Sequence, residues 1–543
     1  MPQNPQSASS FDVVVAGSGA AGLVTAIRTA SAGLRTLVIE SGERFGGTTA
    51  LSGGRVWIPA NGTPANSGDS PELAKSYLRR LFDRRWPEFV DAFVDTAPRL
   101  REFVEARSPH RFVVCPNYPD YHQHLEGAST GGRCFDMAVL DTRVLVEEAR
   151  QVRYPPSYSP ITHAEWEEWR FPERIDAPLL AKRFEEGGRT GGHALAAALV
   201  DGAVRAGAEL RPRASLRGVE EAGGARRLVL DTPEGSETLD AGAVVLATGG
   251  YDADPGLRAE LLPAGLSVSA SAPTNTGAAL EISRSLGADI ANESDGWWMP
   301  MALVPGEELD GRPYPRGLVR ERGVPRSIIV NARGERFIDE ASPYNEFGKK
   351  MHERDEAGEC PNSVAWLVFD EGFRARYPFP GLPATGELPE HIRTAESIGA
   401  LARELGIEPA ALESTVARWN RLSEQGADED LHRGENAYDR YYGDPWAGPA
   451  VNLGPIDRAP YYATRIYSGS IGSKGGPVTD THGRILRGGR PLDGVYAVGN
   501  ASAFWTGDGY PGPGATLAVG MVMGLRAGDA IAAASTRSAA DGR

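Results

Sequence analysis

The sequence predicts an α/β protein: a Rossmann-like, dinucleotide-binding domain carrying an inserted α+β domain that would hold a substrate. Three observations predict it. A strand, a glycine turn and a small-residue helix stand together early in the chain, two more apolar strands stopped by glycine follow far downstream, and the sequence between them changes character. The first strand is Phe11-Asp12-Val13-Val14-Val15-Ala16. Gly17-Ser18-Gly19-Ala20-Ala21-Gly22 then opens a helix predicted to run to about Ala32. A helix N-terminus presents free N–H groups and the positive end of its dipole to a pyrophosphate, and glycines let the backbone approach closely. A second strand, Arg35 to Ile39, ends in Glu40, with Ser41 beyond it. An acid at this distance binds the ribose hydroxyls of an adenine dinucleotide.

The loop that follows points to a flavin dinucleotide rather than a nicotinamide one. Gly46-Gly47-Thr48-Thr49-Ala50-Leu51-Ser52-Gly53-Gly54 is rich in N–H and O–H donors able to pack against a pyrophosphate and a ribityl chain. Its cofactor candidates are Gly47, Thr48, Thr49, Ser52, Gly53 and Gly54. Downstream, Ala243 to Leu246 is an apolar strand stopped by Ala247, Thr248, Gly249 and Gly250, and Gly494 to Val498 is another, stopped by Gly499 and Asn500. The four segments together resemble the flavoproteins that hold FAD extended along a split Rossmann domain.

At 543 residues the chain exceeds one ordinary core. The first part of the FAD-binding domain is placed at 11–290, the inserted domain at 291–459 and the second part of the FAD-binding domain at 460–535. Loose polar tails are expected at 1–10 and 536–543. Apolar spacing predicts helices from Pro71 to Glu105, from His193 to Ala206 and around Ile398 to Glu413, and strands at Ser327 to Asn331 and Val364 to Asp370. Residues 108–186, rich in Pro, Arg, Tyr and Trp, read as a long irregular excursion with a functional role. Arg421 to Glu435 reads as a charged loop. A net charge of -15 disfavours nucleic acid as a partner. No run of 18 apolar residues and no signal-peptide pattern are present, which predicts a cytoplasmic protein with at most transient membrane contact. Cys115, Cys134 and Cys360 have no metal or disulfide spacing.

Near the end stands Gly509-Tyr510-Pro511-Gly512-Pro513-Gly514-Ala515-Thr516-Leu517. The chain after Pro513 reads as helical, so a helix start lies beside the Tyr510 hydroxyl, a combination suited to an oxyanion. With NYPDY at Asn117 to Tyr121, ATGGYD at Ala247 to Asp252, HRGENAYDRYYGDP at His432 to Pro445 and GSIGSKGG at Gly469 to Gly476, this segment carries a resemblance over nearly the whole length. The chain resembles the 3-ketosteroid Δ1-dehydrogenases, FAD enzymes related to the flavoproteins of fumarate reductase and succinate dehydrogenase.

That resemblance implies removal of a proton from C2 and a hydride from C1 of a steroid A-ring, with the hydride passed to flavin N5 and then to an external electron acceptor. It implies that Tyr510 and the Gly514 N–H bind the C3 carbonyl, that Tyr344 takes the C2 proton, and that Tyr121, or Tyr118 in its place, donates a hydrogen bond to Tyr344. Ala515, Thr516 and Leu517 would face the flavin at the helix start. Gly47 stands where a histidine links FAD covalently in the succinate dehydrogenase branch, so FAD is expected to be noncovalent. Another hydrophobic cyclic ketone, or the 4,5-bond of a 3-ketosteroid, would satisfy similar chemistry. A fumarate-reductase-like enoate reductase needs clustered histidines and cationic clamps that the segment at Gly469 to Gly476 lacks. A flavin-binding protein without turnover would not need Tyr121, Tyr344 and Tyr510 together.

Overall fold

The computed structural model describes residues 10–83, 86–171, 174–222 and 225–541, with side chains described through Thr536. The expected tails at 1–9 and 542–543 lie outside the described residues. Two sheets organise the chain. In the first, Arg490–Ala497, Gly235–Leu246, Ser10–Ala16, Thr36–Ile39 and Glu209–Arg211 lie side by side and parallel. Strands covered on both faces need nearly continuous apolar runs, and Val13, Val14, Val15, Val244, Val245 and Leu246 are all fully buried.

The helix Ala20–Ala30 packs against the last helix, Ala515–Asp541. By length and hydropathy, Ala515–Thr536 could cross a membrane, but 67% of its apolar stretch is buried inside the fold, which makes it the central core helix. The expected loose tail from 536 is accordingly shorter, because the helical backbone continues to Asp541. At the other end, Ser10 already belongs to the first strand.

The second sheet runs Arg316–Gly317, Gly296–Ala302, Tyr461–Ser473, Ala365–Asp370 and Ser327–Asn331, each pair antiparallel. Val268–Ser269 and Ile392–Ala395 also pair with Tyr461–Ser473. Residues 268–269 and 461–473, expected within the flavin domain, pair in the second sheet. Apolar alternation predicts a strand but not which sheet it joins.

Other elements fall close to expectation, with shifted ends. Pro71 to Glu105 divides into Pro71–Leu81 and Pro87–Arg107, the first capped by the Ser70 hydroxyl, which accepts the Leu73 N–H at 3.2 Å. The helix predicted from His193 is Gly191–Arg205. The charged loop begins inside the helix Pro409–Gln425, whose straight-chain polar residues suit an exposed helical face. The excursion at 108–186 contains strands Phe112–Val114 and Cys134–Met137 and helices His163–Trp169 and Ala177–Glu185. Its aromatic rings fold over the cavity described next.

Candidate active site

A cavity of about 650 Å³ lies at the carboxyl ends of the parallel strands, where open α/β sheets bind ligands. It gathers Gly17, Gly19, Ala20, Ala21, Glu40, Ser41, Gly47, Thr48, Thr49, Ser52, Gly53, Gly54, Ala247, Thr248, Gly249, Gly499, Asn500, Thr516 and Leu517, all candidates from the sequence. Gly22 and Ala515 are not in its wall: Gly22 packs against the Gly17 carbonyl and Val15, and Ala515 is fully buried behind the surface.

The wall fits an extended dinucleotide. Gly17 has φ +112°, and a Cβ there would stand 2.2 Å from the Ala247 carbonyl oxygen, so the turn excludes any side chain. The helix starting at Ala20 has no side-chain cap, which leaves N–H groups at its start for a ligand. The Thr248 Oγ1 is buried with no hydrogen-bond partner among the described residues. Thr49 Oγ1 accepts the Ala20 N–H at 3.0 Å and ties the two glycine loops together. Glu40 is held from both oxygens: Oε2 accepts from the Ser18 hydroxyl at 2.5 Å and its N–H at 3.2 Å, and Oε1 accepts from the Gly42 N–H at 2.8 Å.

Beyond this stretch the cavity meets a cluster of buried phenols. Tyr344 opens the helix Tyr344–His352. Its hydroxyl donates to the Tyr510 hydroxyl at 2.8 Å, and the Tyr510 hydroxyl is hydrogen-bonded to Thr516 Oγ1 at 2.9 Å, where either oxygen can donate. Among the described residues no hydrogen bond within 3.5 Å joins Tyr121 to Tyr344, although the Tyr121 hydroxyl is close enough to ease ionisation of Tyr344. Tyr121 packs edge-on against Tyr344 and Tyr510, with ring centroids 5.4 and 5.1 Å away. The Tyr118 hydroxyl is occupied by Tyr442, so Tyr121 is the one beside the pair. Burial in a low-dielectric site disfavours a phenolate and pushes Tyr344 well above the usual phenol range. It raises Tyr510 too, opposed by the hydrogen bonds to Thr516 and Tyr344.

The turn that carries Tyr510 is pinned along its backbone. Tyr77 donates to the Pro511 carbonyl at 2.6 Å, as does the Tyr121 N–H at 3.0 Å. Lys474 Nζ donates to the carbonyls of Gly507 and, at 3.0 Å, Gly509. It also lies 3.7 Å from the centroid of Trp297, whose ring packs in turn against the Tyr510 ring at 4.7 Å. Gly514 has φ +89°, and a Cβ would stand 2.4 Å from the Arg55 backbone. Its carbonyl accepts the Trp57 N–H at 3.3 Å, while its own N–H has no hydrogen bond among the described residues. A phenol and a free N–H thus flank one end of the cavity.

The FAD binding domain family matches residues 12–517. A 3-oxosteroid 1-dehydrogenase of Mycobacterium tuberculosis is 36% identical over 559 residues, covering 95% of this chain and 97% of that protein. The chain belongs to the 3-ketosteroid Δ1-dehydrogenase family. A second relative is the 4-oxocyclohexanecarboxylate 2-dehydrogenase of Sinomonas cyclohexanicum, 35% identical over 539 residues, or 96% of this chain and 93% of that protein. Among solved structures, the 3-ketosteroid Δ1-dehydrogenase of Sterolibacterium denitrificans in complex with 1,4-androstadiene-3,17-dione superposes with a TM-score of 0.88 at 33% identity, covering 97% of this chain and all of that one. As a member of the 3-ketosteroid Δ1-dehydrogenase family, the chain is an FAD-dependent oxidoreductase acting on CH–CH groups.

Sequence reasoning passed over two groups at this site. Lys474 is a buried cation two residues before Gly476, and its signal was a lone lysine between glycines at the end of a strand. Arg55 lines the cavity immediately after Gly54. Its signal was a charge following a cofactor loop, where small residues otherwise dominate.

Proposed function

We propose that this chain removes hydrogens from C1 and C2 of a 3-ketosteroid and leaves a 1-ene-3-one. The observation that carries the reading is the 2.8 Å contact between Tyr344 and Tyr510 beside the free N–H of Gly514. Tyr510 and Gly514 would donate to the C3 carbonyl, where negative charge develops as the neighbouring carbon loses its proton. Tyr344, ionised to its phenolate on the other side of the Tyr510 hydroxyl, would take that proton from C2. Bound FAD supplies the hydride acceptor for C1, and an external electron acceptor then reoxidises it.

Glu40 would hold the ribose, and the start of the last helix at Thr516 would face the flavin with its positive dipole end. The parallel-sheet part then serves as the FAD-binding domain and the antiparallel part as the inserted substrate domain, with the enzyme working in the cytoplasm. Tyr121 would act through its field and ring contacts on the pair. The edge-on packing of its ring against both phenols supports that role. A smaller cyclic ketone is the second reading, favoured by the name of the Sinomonas relative. The holoprotein should bleach its flavin with androst-4-ene-3,17-dione and, with an artificial acceptor, yield the 1,4-diene; no bleaching with any 3-ketosteroid would overturn the steroid reading.

A further inference from the structure

Arg55 puts a positive charge into a cavity that a neutral ketone does not need. Its guanidinium carries five N–H groups. Nε and Nη2 donate to Nδ1 of His163 at 3.1 and 2.9 Å, and Nη1 donates to the Gly53 carbonyl at 3.1 Å. Two N–H groups are left without a partner among the described hydrogen bonds, and the side chain lines the cavity. Its main partner is neutral. The His163 Nε2 pairs with the Tyr441 hydroxyl at 2.7 Å, and that hydroxyl donates to Glu167 at 2.6 Å, so the imidazole proton sits on Nε2 and Nδ1 accepts from Arg55. Burial, then the Arg55 charge itself, keep His163 below its ordinary range.

Carboxylates near Arg55 do not close on it. No ion pair within 4.0 Å joins Arg55 to Asp136 among the described residues, although Asp136 also lines the cavity and helps keep the guanidinium charged against burial. The Asp136 carboxylate accepts the His163 N–H at 2.6 Å instead. Glu167 is reached only through Tyr441. The charge is offset by Asp136 at longer range, and the two N–H groups left over on the planar fork suit a carboxylate.

Arg55 stands at the end of the cofactor loop, with Nη1 on the Gly53 carbonyl. The uncapped helix start at Ala20 and the Gly17 turn form one part of the wall, whereas Arg55 adjoins the ketone end. Its backbone abuts Gly514, and its partner His163 stacks on Tyr118 at 4.9 Å. A second under-used cation lies on the same side. Arg320, one residue beyond the cavity-lining Val319, is buried with Nε and Nη2 without a hydrogen-bond partner among the described residues, beside a recess that shares Ile161 with the main cavity.

We propose that the ketone oxidised by this chain carries a carboxylate, and that Arg55 receives it. The proposal rests on the reading that a cyclic ketone is oxidised at this site. Such a substrate has two sources, a monocyclic oxo acid or a steroid bearing a carboxylate side chain, and both present a ketone at one end and an anion at the other.

The test compares matched pairs on the holoenzyme under anaerobic conditions. 4-Oxocyclohexanecarboxylate is set against 4-methylcyclohexanone, and a 3-oxo-4-ene steroid carboxylic acid against androst-4-ene-3,17-dione, with flavin reduction as the readout. Wild type should prefer the acid in at least one pair, and which pair it is identifies the source. Arg55→Ala should lower that acid-to-neutral ratio of kcat/KM by about 10- to 100-fold, mainly through KM, the range expected on losing charge-assisted hydrogen bonds. Arg55→Lys should restore part of it. Cyclohexanecarboxylate, which lacks the ketone, should perturb the flavin spectrum of wild type and not of Arg55→Ala. An unchanged ratio in Arg55→Ala, or a wild type that reduces its flavin with neutral ketones and gains nothing from the acids, would overturn the carboxylate assignment while leaving ketone oxidation intact. Arg55-dependent binding of cyclohexanecarboxylate with no flavin reduction by any ketone would sustain the anion site and overturn the dehydrogenase reading.

Discussion

Replacing Tyr510 by phenylalanine separates the hydroxyl from the ring. The ring is 2% exposed and packs against Trp297, Tyr121 and Tyr344 at centroid distances of 4.7, 5.1 and 5.4 Å, contacts that phenylalanine keeps. What disappears is the oxygen between Tyr344 at 2.8 Å and Thr516 at 2.9 Å. The buried Tyr344 hydroxyl loses its partner, which costs about 1–3 kcal/mol of stability if it stays unsatisfied, while the half-buried Thr516 hydroxyl still faces the cavity. The ketone loses one of its two donors, and removal of one oxyanion donor slows the chemical step by about 10²- to 10³-fold, or roughly 2.7–4 kcal/mol. Tyr510→Phe should therefore remain yellow and folded, and stopped-flow flavin reduction with a ketone substrate should be slower by that factor. KM should change far less than kcat, because the hydroxyl matters most as charge develops. Flavin reduction within a few-fold of wild type would refute the assignment of Tyr510 to the ketone.

Further outcomes follow from the same geometry. Burial holds Tyr344 protonated well above the usual phenol range, so flavin reduction should rise with pH and reach no plateau below about pH 10; a plateau near neutrality would point to another base. Burial also pushes Lys474 down to about 7 from an ordinary 10.5, so the folded protein binds fewer protons than the unfolded chain between those values. The stability of wild type relative to Lys474→Met should then increase as pH rises from about 7 to 10.5, and urea titrations showing a difference that is flat in pH would contradict it. Glu40→Ala should release FAD on gel filtration, and a fully yellow eluate would remove Glu40 from the ribose.

The parallel sheet was legible because the central segments of its inner strands are buried and read as uninterrupted apolar runs, Val13 to Ala16 and Val244 to Leu246 among them, each followed within three residues by glycine. Membership of Tyr461–Ser473 in the second sheet was not, since its pairing partners lie more than sixty positions away in sequence and leave no mark on local pattern. At the site, the motif positions located Tyr344, Tyr510 and Gly514, but not the hydrogen-bond direction among the phenols. That direction depends on the rotation of rings from three distant segments. Arg55 was missed for a related reason: beside Gly54 it reads as an exposed loop charge, and only the fold turns it inward, against His163 from the aromatic-rich excursion.

The central claim is that Tyr344 removes the proton beside a ketone held by Tyr510. Deuterium placed at C2 of androst-4-ene-3,17-dione tests it most directly, by washout into solvent on the holoenzyme. Wild type should exchange the label, and Tyr344→Phe, with its flavin retained, should leave it in place. Washout at the wild-type rate in Tyr344→Phe would contradict the account.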